Sequence, residues 1–426
     1  MIIRNFKSLS INPEKQDVLS IIEAGLEAAL PGNQLEKIIY RDHLIVFGKK
    51  TDLKKYDDVF VIAIGKAAYS MTESVDSLTD IKGGLLVVPN KTRSTLSKKF
   101  KVMQAGHPLP NKNSIIAAKK ILEFLDKVKP HDLIIFLISG GTSSLVALPD
   151  GITLGEKRIV TDLMLKCGAD IHEINCIRKH LSKIKGGRLL EHLKSNGISL
   201  VMSDVVGDDL TSIASGITYY DKTTFSDAKK ILEKYNLERS VPKNVLKRIT
   251  LGMQGKILET PKRQKIQNCI ISTNKICLDA MNDRAKDLGF STKVLSCLSG
   301  NVKDLSVKIT KTFSDKKINC VIFGGEPTVV VKGKGKGGRN QELVLYTAIN
   351  LAKQGTKATV ASVGTDGIDG KTDCAGAICK SDQKIKTIKS YLDKNDSYNF
   401  FKKYGGLIFT GPTDTNLMDI GLVLRK

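Results

Sequence analysis

Apolar and polar positions along the chain alternate between two periods. Short runs with almost no polar interruption, Val59-Phe-Val-Ile-Ala-Ile64, Leu85-Leu-Val-Val88, Leu133-Ile-Ile-Phe-Leu-Ile138 and Ile198-Ser-Leu-Val-Met202, read as strands buried on both faces. Helical spacing fills the stretches between them, as from Asn113 to Val128, so the pattern predicts a mostly parallel sheet covered by helices. The pattern weakens from Arg239 to Gln267, where Pro242, Gly252, Gly255 and Pro261 stand among lysines, and resumes at Cys269-Ile-Ile271. Further strands are expected at Lys293-Val-Leu-Ser-Cys297, Cys320-Val-Ile-Phe323, Pro327 to Lys332, Ala358 to Val363 and Leu407-Ile-Phe409. This predicts an α/β protein with an N-terminal domain over residues 1–240, a linker over 241–267 and a C-terminal domain over 268–426.

Composition narrows the classes. The 426 residues, 41% hydrophobic and 26% charged, suffice for two or three domains with substantial cores. No segment offers the roughly 18 uninterrupted apolar residues of a membrane helix, and Met1-Ile-Ile-Arg-Asn-Phe-Lys7 lacks the apolar run of a leader, so a cytoplasmic location is expected. Cys167, Cys176, Cys269, Cys277, Cys297, Cys320, Cys374 and Cys379 form no C-x-x-C pair and read as buried thiols. The net charge of +23 comes mainly from dispersed lysine, with 5% aromatics and no tryptophan. That distribution favours substrate steering or background composition over specific nucleic-acid binding.

The chemistry gathers at strand ends, where a doubly wound sheet places its ligands. Thr328-Val-Val-Val-Lys-Gly-Lys-Gly-Lys-Gly-Gly-Arg-Asn-Gln-Glu342 runs from a strand through a glycine-lysine loop into a helix. It reads as an anion cradle: Gly333, Gly335, Gly337 and Gly338 permit close approach, Lys332, Lys334, Lys336 and Arg339 add charge, and a helix N-terminus favours an anion. An ordinary mobile loop is the bland alternative. Gly65-Lys66 precedes a helix directly, where the macrodipole disfavours a lone cation and a ligand anion would compensate.

Ser139-Gly140-Gly141-Thr142-Ser143-Ser144 offers amides and hydroxyls for an oxyanion or phosphate nest, without P-loop order. Ser203-Asp204-Val-Val-Gly207-Asp208-Asp209 clusters carboxylates at a strand end, suited to magnesium with nucleotide phosphates or to accepting a hydroxyl proton, although one of them fits a helix cap. A predicted helix from Ile171 to Ile184 carries His172, Asn175, Lys179 and Ser182 on a polar stripe. Arg178, near its apolar face, needs an acidic partner or a ligand carboxylate. Gly364-Thr-Asp366-Gly-Ile-Asp-Gly370 and Thr410-Gly-Pro-Thr413 are explicable as turns.

Taken in order, these motifs with Gly106-His-Pro-Leu-Pro110, Asn175-Cys-Ile-Arg-Lys-His-Leu-Ser182 and Lys185-Gly-Gly-Arg188 resemble the glycerate kinase family of the MOFRL type. The resemblance spans nearly the whole chain. It implies a Rossmann-like, doubly wound, mostly parallel N-terminal domain and a smaller α/β MOFRL domain, with ATP-dependent phosphorylation of D-glycerate to 2-phosphoglycerate in a cleft between them. It implies a divalent cation, expected to be Mg2+, for which the strand-end carboxylates Asp204 and Asp208 are the candidate ligands. Lys66, Arg339 and Asp204 are the implied catalytic residues. Gly65, Ser139, Gly140, Gly141, Ser143, Asn175, Arg178, Lys334, Lys336, Gly337, Gly338, Asn340 and Asp366 are the substrate- and ATP-binding candidates. The partners are then D-glycerate and ATP, with monomer and homodimer both open.

Two other classes stand beside this one. An NAD(P)H-dependent hydroxypyruvate reductase is prompted by the G-x-G-x-x-G spacing of Gly333, Gly335 and Gly338, but Lys357-Ala-Thr-Val-Ala-Ser362 lacks the acid expected about 20 positions on. A basic nucleic-acid-binding protein is prompted only by the charge.

Overall fold

The structure is a computed structural model and describes residues 1–89, 96–382 and 385–425. The chain divides into two compact units, one of Gln34–Ile271 and one of Met1–Asn33 with Ser272–Lys426.

In the first unit, β1 (Ile39–Tyr40), β2 (His43–Val46) and β3 (Lys49–Asp52) form a small antiparallel sheet. The main sheet contains β4 (Val59–Ile64), β5 (Gly83–Pro89), β6 (Phe100–Ala105), β7 (Leu133–Ile138), β8 (Asn196–Met202) and β9 (Gln267–Ser272). Their order is β6-β5-β4-β7-β8-β9, with β4 parallel to β5 and β7, β5 to β6, and β7 to β8. The chain thus steps outward from β4 to one edge and returns to build the other half from β7. That is the doubly wound Rossmann-like order, and its switch point lies between β4 and β7.

The four predicted apolar runs all fall in these strands, and β7 is buried at every position. Ile62, Ile64, Ile134, Phe136 and Ile138 share a core with Ala117, Ala118, Ile121 and Leu125 of the helix Lys112–Lys127. Asn111 and Ser114 close a capping box at the start of that helix. Burial of one such side chain as Phe136 stabilises by roughly 1.5–3 kcal/mol.

A separate helical core joins Leu154–Lys166, Ile171–His180, Phe225–Lys234 and Lys243–Met253 through Val160, Ile174, Ile177, Phe225, Leu232, Val245 and Ile249. The last of these helices begins inside the segment expected as a linker. The residues that suggested a linker have local uses: Pro242 is the N-cap, and Gly252 leaves room for the Phe225 ring. The helix expected to reach Ile184 ends at His180, and Leu181 leaves helical geometry.

The second unit holds β10 (Thr292–Asn301), β11 (Cys320–Thr328), β12 (Thr359–Gly364), β13 (Gly376–Lys380), β14 (Leu407–Ile408) and β15 (Asp419–Leu424), ordered β10-β11-β15-β12-β13-β14. Within this sheet only β10 and β11 pair in parallel among the described residues. The runs Cys320–Phe323 and Pro327–Lys332, expected as two strands, are one strand that passes through Gly324 and Gly325 and stops at Thr328. Neither β13 nor β15 was expected from the apolar pattern. Gly325 and Gly364 both stand opposite Asp419, so β11, β12 and β15 bring polar segments to one end of the sheet.

Residues 1–33, expected in the N-terminal domain, are built into this second unit. The helix Pro13–Ala28 buries Val18, Leu19, Ile21, Ile22 and Leu26, and packs on Asn274–Asp287 and on β12 and β15. Gly25 allows the close approach, since a side chain there would collide with Met281 and Ile420. Val302–Phe313 and Arg339–Lys353 join the other core of the unit with Val321, Phe323, Val360 and Val423. Among the described residues no helix is long and apolar enough to cross a membrane.

Candidate active site

At the switch point of the first unit, Gly65, Lys66 and the Ser139–Gly141 turn are tied into one structure. The Lys66 amide donates to the Gly140 carbonyl at 2.8 Å, and the Ala67 amide donates to Ser139 Oγ at 3.0 Å. Thr142 Oγ1 lies 2.7 Å from the carbonyls of both Ile64 and Ser139. Gly65 has φ +134°, and a side chain there would collide with Ser139 Oγ. Gly141 has φ +87°, and a side chain there would meet the His107 ring and the Lys66 stem. Both positions therefore require glycine. Ser139, a substrate- and ATP-binding candidate, is buried and its hydroxyl locks the turn, whereas Lys66 remains partly accessible at the head of the helix Ala68–Leu78.

The next layer is a chain of hydroxyls and an amide. Ser143 Oγ is 3.0 Å from Ser215 Oγ, which donates to Asn175 Oδ1 at 3.0 Å. Lys185 Nζ donates to the Ser143 carbonyl at 3.1 Å. Asn175 is buried and its Nδ2 has no partner; Arg178 Nε, one helical turn on, is likewise buried and unpartnered. The structure thus connects Asn175 and Ser143, and it gives Arg178 no acidic partner among the described residues. The sequence marks Lys185 only as the first residue of the Lys185-Gly-Gly-Arg188 motif and Lys157 not at all; burial of both side chains is what distinguishes them.

Asp204 and Asp208 lie half-buried on the loop after β8. Asp209 instead fixes that loop, accepting from the Thr211 amide at 2.9 Å and from Ser212 Oγ at 2.8 Å. These hydrogen bonds hold its carboxyl below the usual range despite the opposing effect of burial.

The glycine-lysine loop differs from an open cradle. The Lys332 and Gly333 amides donate to Asn395 Oδ1, both at 2.8 Å, the Gly335 amide to the Lys394 carbonyl at 2.8 Å and the Lys336 amide to Asp396 at 2.9 Å. Side chains at Gly333, Gly335, Gly337 or Gly338 would collide with the backbone of Lys394, with Asp396, with Ser397 and with Asp369 respectively. At these positions the glycines admit the protein's own chain, so the loop is packed against residues 394–397 and Asp369. Lys334 is exposed, while Lys336 Nζ stands 3.9 Å from the Tyr398 ring centroid in a cation–π contact.

The helix N-terminus that follows already has its anion. Asp369 Oδ1 accepts from the Asn340 amide at 3.0 Å, and Oδ2 accepts from the Gln341 amide at 3.0 Å and from Gln341 Nε2 at 2.9 Å. Asn340, expected to bind ligand, is fully buried, with its Nδ2 directed to Asp369 and its Oδ1 accepting from Ser362 Oγ. Burial pushes the Asp369 carboxyl up to about 6, against the two amides that pull it down.

Arg339 is the group left with a chemical face. Its Nε and Nη2 grip buried Asp419 at 2.5 and 3.0 Å, while about a third of the side chain stays accessible. Burial opposes its charge, but Asp419, reinforced by Glu326 and Asp369, outweighs that and raises its pKa, so it is a permanent cation. Asp366 accepts from the Ile368 amide at 3.1 Å and stays half-buried beside this end of the sheet. Asp419 and Asp369 were missed as site residues. The signal for Asp419 was a carboxylate heading the apolar run Ile420-Gly-Leu-Val-Leu424.

Known proteins share this architecture. Residues 17–250 match a domain family described as of unknown function, DUF4147, and residues 319–419 match the MOFRL family. A protein named glycerate 2-kinase from Pyrococcus horikoshii is 40% identical, covering 90% of both chains. One named D-glycerate 2-kinase from Thermotoga maritima is 38% identical over 96% of this chain and 98% of its own. A crystal structure titled glycerate kinase, also from Thermotoga maritima, superposes with a TM-score of 0.80 at 36% identity, covering 95% of this chain and 98% of the other.

Proposed function

The chain belongs to the MOFRL-type glycerate kinase family, and from that premise we propose that it transfers the γ-phosphoryl group of ATP to the 2-hydroxyl of D-glycerate. The observation that carries the site assignment is the pairing of Lys66 with the Gly140–Gly141 turn at the switch point of the sheet, where a doubly wound fold binds its ligands.

Phosphoryl transfer passes through a loose transition state, so positioning and charge stabilisation account for most of the catalysis. Lys66 and Arg339 are assigned to the anionic groups of the reactants, Lys66 from a glycine turn and Arg339 from a carboxylate clamp. The fixed orientation of Arg339 means that little reorganisation accompanies its use. Asp204 either accepts the hydroxyl proton or holds the divalent cation, with Asp208 as a second carboxylate on the same loop. Among the described residues no three His, Cys, Asp or Glu side chains cluster as a metal cage, so Mg2+ would be shared between one or two carboxylates and the nucleotide phosphates. When bound, it neutralises charge on the transferring group. The eight free cysteines suit a reducing, cytoplasmic compartment.

Incubation of the purified chain with ATP, Mg2+ and D-glycerate, followed by phosphorus NMR, tests the reading. The expected product is 2-phosphoglycerate. A 3-phosphoglycerate signal would overturn the regiochemistry, and the absence of either ester the activity.

A further inference from the structure

Bases with buried nitrogen atoms in the first unit fall into two groups. Lys179 has Asp221 at 3.2 Å, His180 has Glu259 at 3.2 Å, and Arg248 is paired with Asp150. Lys157, Arg178 and Lys185 have no acidic partner among the described residues, although they lie close enough to repel one another. Lys157 is 5% exposed with an unpartnered Nζ, and Lys185 is 0% exposed. An uncompensated buried cation is among the costliest features of a protein interior, and like charges beside it add to the cost.

The unsatisfied atoms share one chemistry. Lys157 Nζ, Arg178 Nε and Asn175 Nδ2 are all donors lacking an acceptor. A group that only accepts hydrogen bonds and carries negative charge would satisfy them together. The cluster also touches the reaction site: Lys185 donates to the carbonyl of Ser143, on the turn whose Gly140 and Gly141 adjoin Lys66, and Ser143 links through Ser215 to Asn175.

We infer that Lys157, Arg178 and Lys185, with Asn175, form a receptor for one oxyanion of the reactants, a carboxylate or a phosphate. Its existence follows from the unpaired donors, whereas the identity of the oxyanion rests on the kinase reading above. Burial lowers the Lys157 pKa to about 7 and that of Lys185 well below its usual value, so the unliganded cluster sheds part of its charge, which an arriving anion would restore.

Lys157→Met and Lys185→Met remove the costly groups with similar volume, so both variants should melt at or above the wild-type temperature without ligand. Thermal melts of the full-length chain are to be compared without additive and with D-glycerate, ATP, inorganic phosphate or uncharged glycerol. Wild type should gain stability with at least one anion and none with glycerol, and the variants should lose that gain. The KM of the corresponding substrate should rise roughly tenfold to a hundredfold, as for a lost hydrogen bond to a charged group. Loss confined to D-glycerate identifies the carboxylate; loss with ATP and phosphate identifies a phosphate.

Wild type unshifted by every anion, or variants that keep the full shifts and KM values, would overturn the inference. So would variants that lose stability without ligand but keep the anion shift. Should either variant fail to fold, the other and Arg178→Lys carry the same comparison. A wild type that turns over no glycerate, yet whose anion shift vanishes in the variants, refutes the kinase reading and leaves the receptor standing.

Discussion

Arg339 holds Asp419 in a two-point clamp, Nε to Oδ2 at 2.5 Å and Nη2 to Oδ1 at 3.0 Å, with the carboxylate buried and the guanidinium partly open. The acid orients the base and leaves one face of it for chemistry. Asp419→Asn keeps the shape but replaces one acceptor with a donor facing the guanidinium. Its kcat should fall by roughly tenfold to a hundredfold, as for the loss of a charge-assisted hydrogen bond that positions a catalytic group. Arg339→Lys should not restore wild-type kcat, because an ammonium cannot reproduce the planar fork. Steady-state kinetics on the folded variants decide this; a fully active Asp419→Asn would remove Asp419 from the mechanism.

Lys66→Ala and Arg339→Ala should each lower turnover by about two orders of magnitude or more, the scale of removing one transition-state donor. Gly65→Ala tests the same site from the backbone. The added methyl group meets Ser139 Oγ at φ +134°, so Lys66 should be displaced and turnover lost even though the residue itself is unchanged. Near-wild-type turnover in folded Lys66→Ala would sink the assignment of that residue.

Legibility of the fold and site followed the range of the forces involved. The parallel sheet was readable because β4, β7 and β8 are buried on both faces and leave continuous apolar runs such as Leu133 to Ile138. The second sheet was harder, since β13 is short and β15 pairs with β11 and β12 from the end of the chain. The unit to which the helix Pro13–Ala28 belongs was not legible, because its partners lie some 250 residues on, at Asn274–Asp287. Lys66 and Arg339 announced themselves beside glycines. What the glycines at 333 to 338 accommodate was not legible, because Lys394, Asp396, Ser397 and Asp369 reach them only through tertiary contact.

Asp369 gives the second unit a pH signature. Its pKa rises from 3.8 to about 6 on burial, so the folded chain keeps this proton over a range where the unfolded chain has released it. The sign follows: the contribution is fully present below about pH 4 and is lost as pH rises through about 6. The shift corresponds to on the order of 3 kcal/mol. Denaturant unfolding of wild type and Asp369→Asn between those limits should show a shallower decline in the variant. Parallel pH dependences in the two proteins would refute a titration at this residue.

The two central lysines of the glycine loop should behave differently from each other. Lys334 is exposed, so Lys334→Gln should weaken only long-range attraction of anionic substrates. Its effect should appear in kcat/KM at low ionic strength and fade as salt shortens the screening length to about 8 Å near physiological ionic strength. Lys336 sits over the Tyr398 ring at 3.9 Å, and its own amide is held by Asp396. Lys336→Gln should therefore also lower thermal stability, by the ~0.5–1 kcal/mol of an exposed cation–π contact, and salt should not abolish that loss. Kinetics across a salt series, paired with melting curves, separate the two. Identical salt dependence and identical stability in both variants would mean that the ring contact contributes nothing and that both lysines act only through their charge.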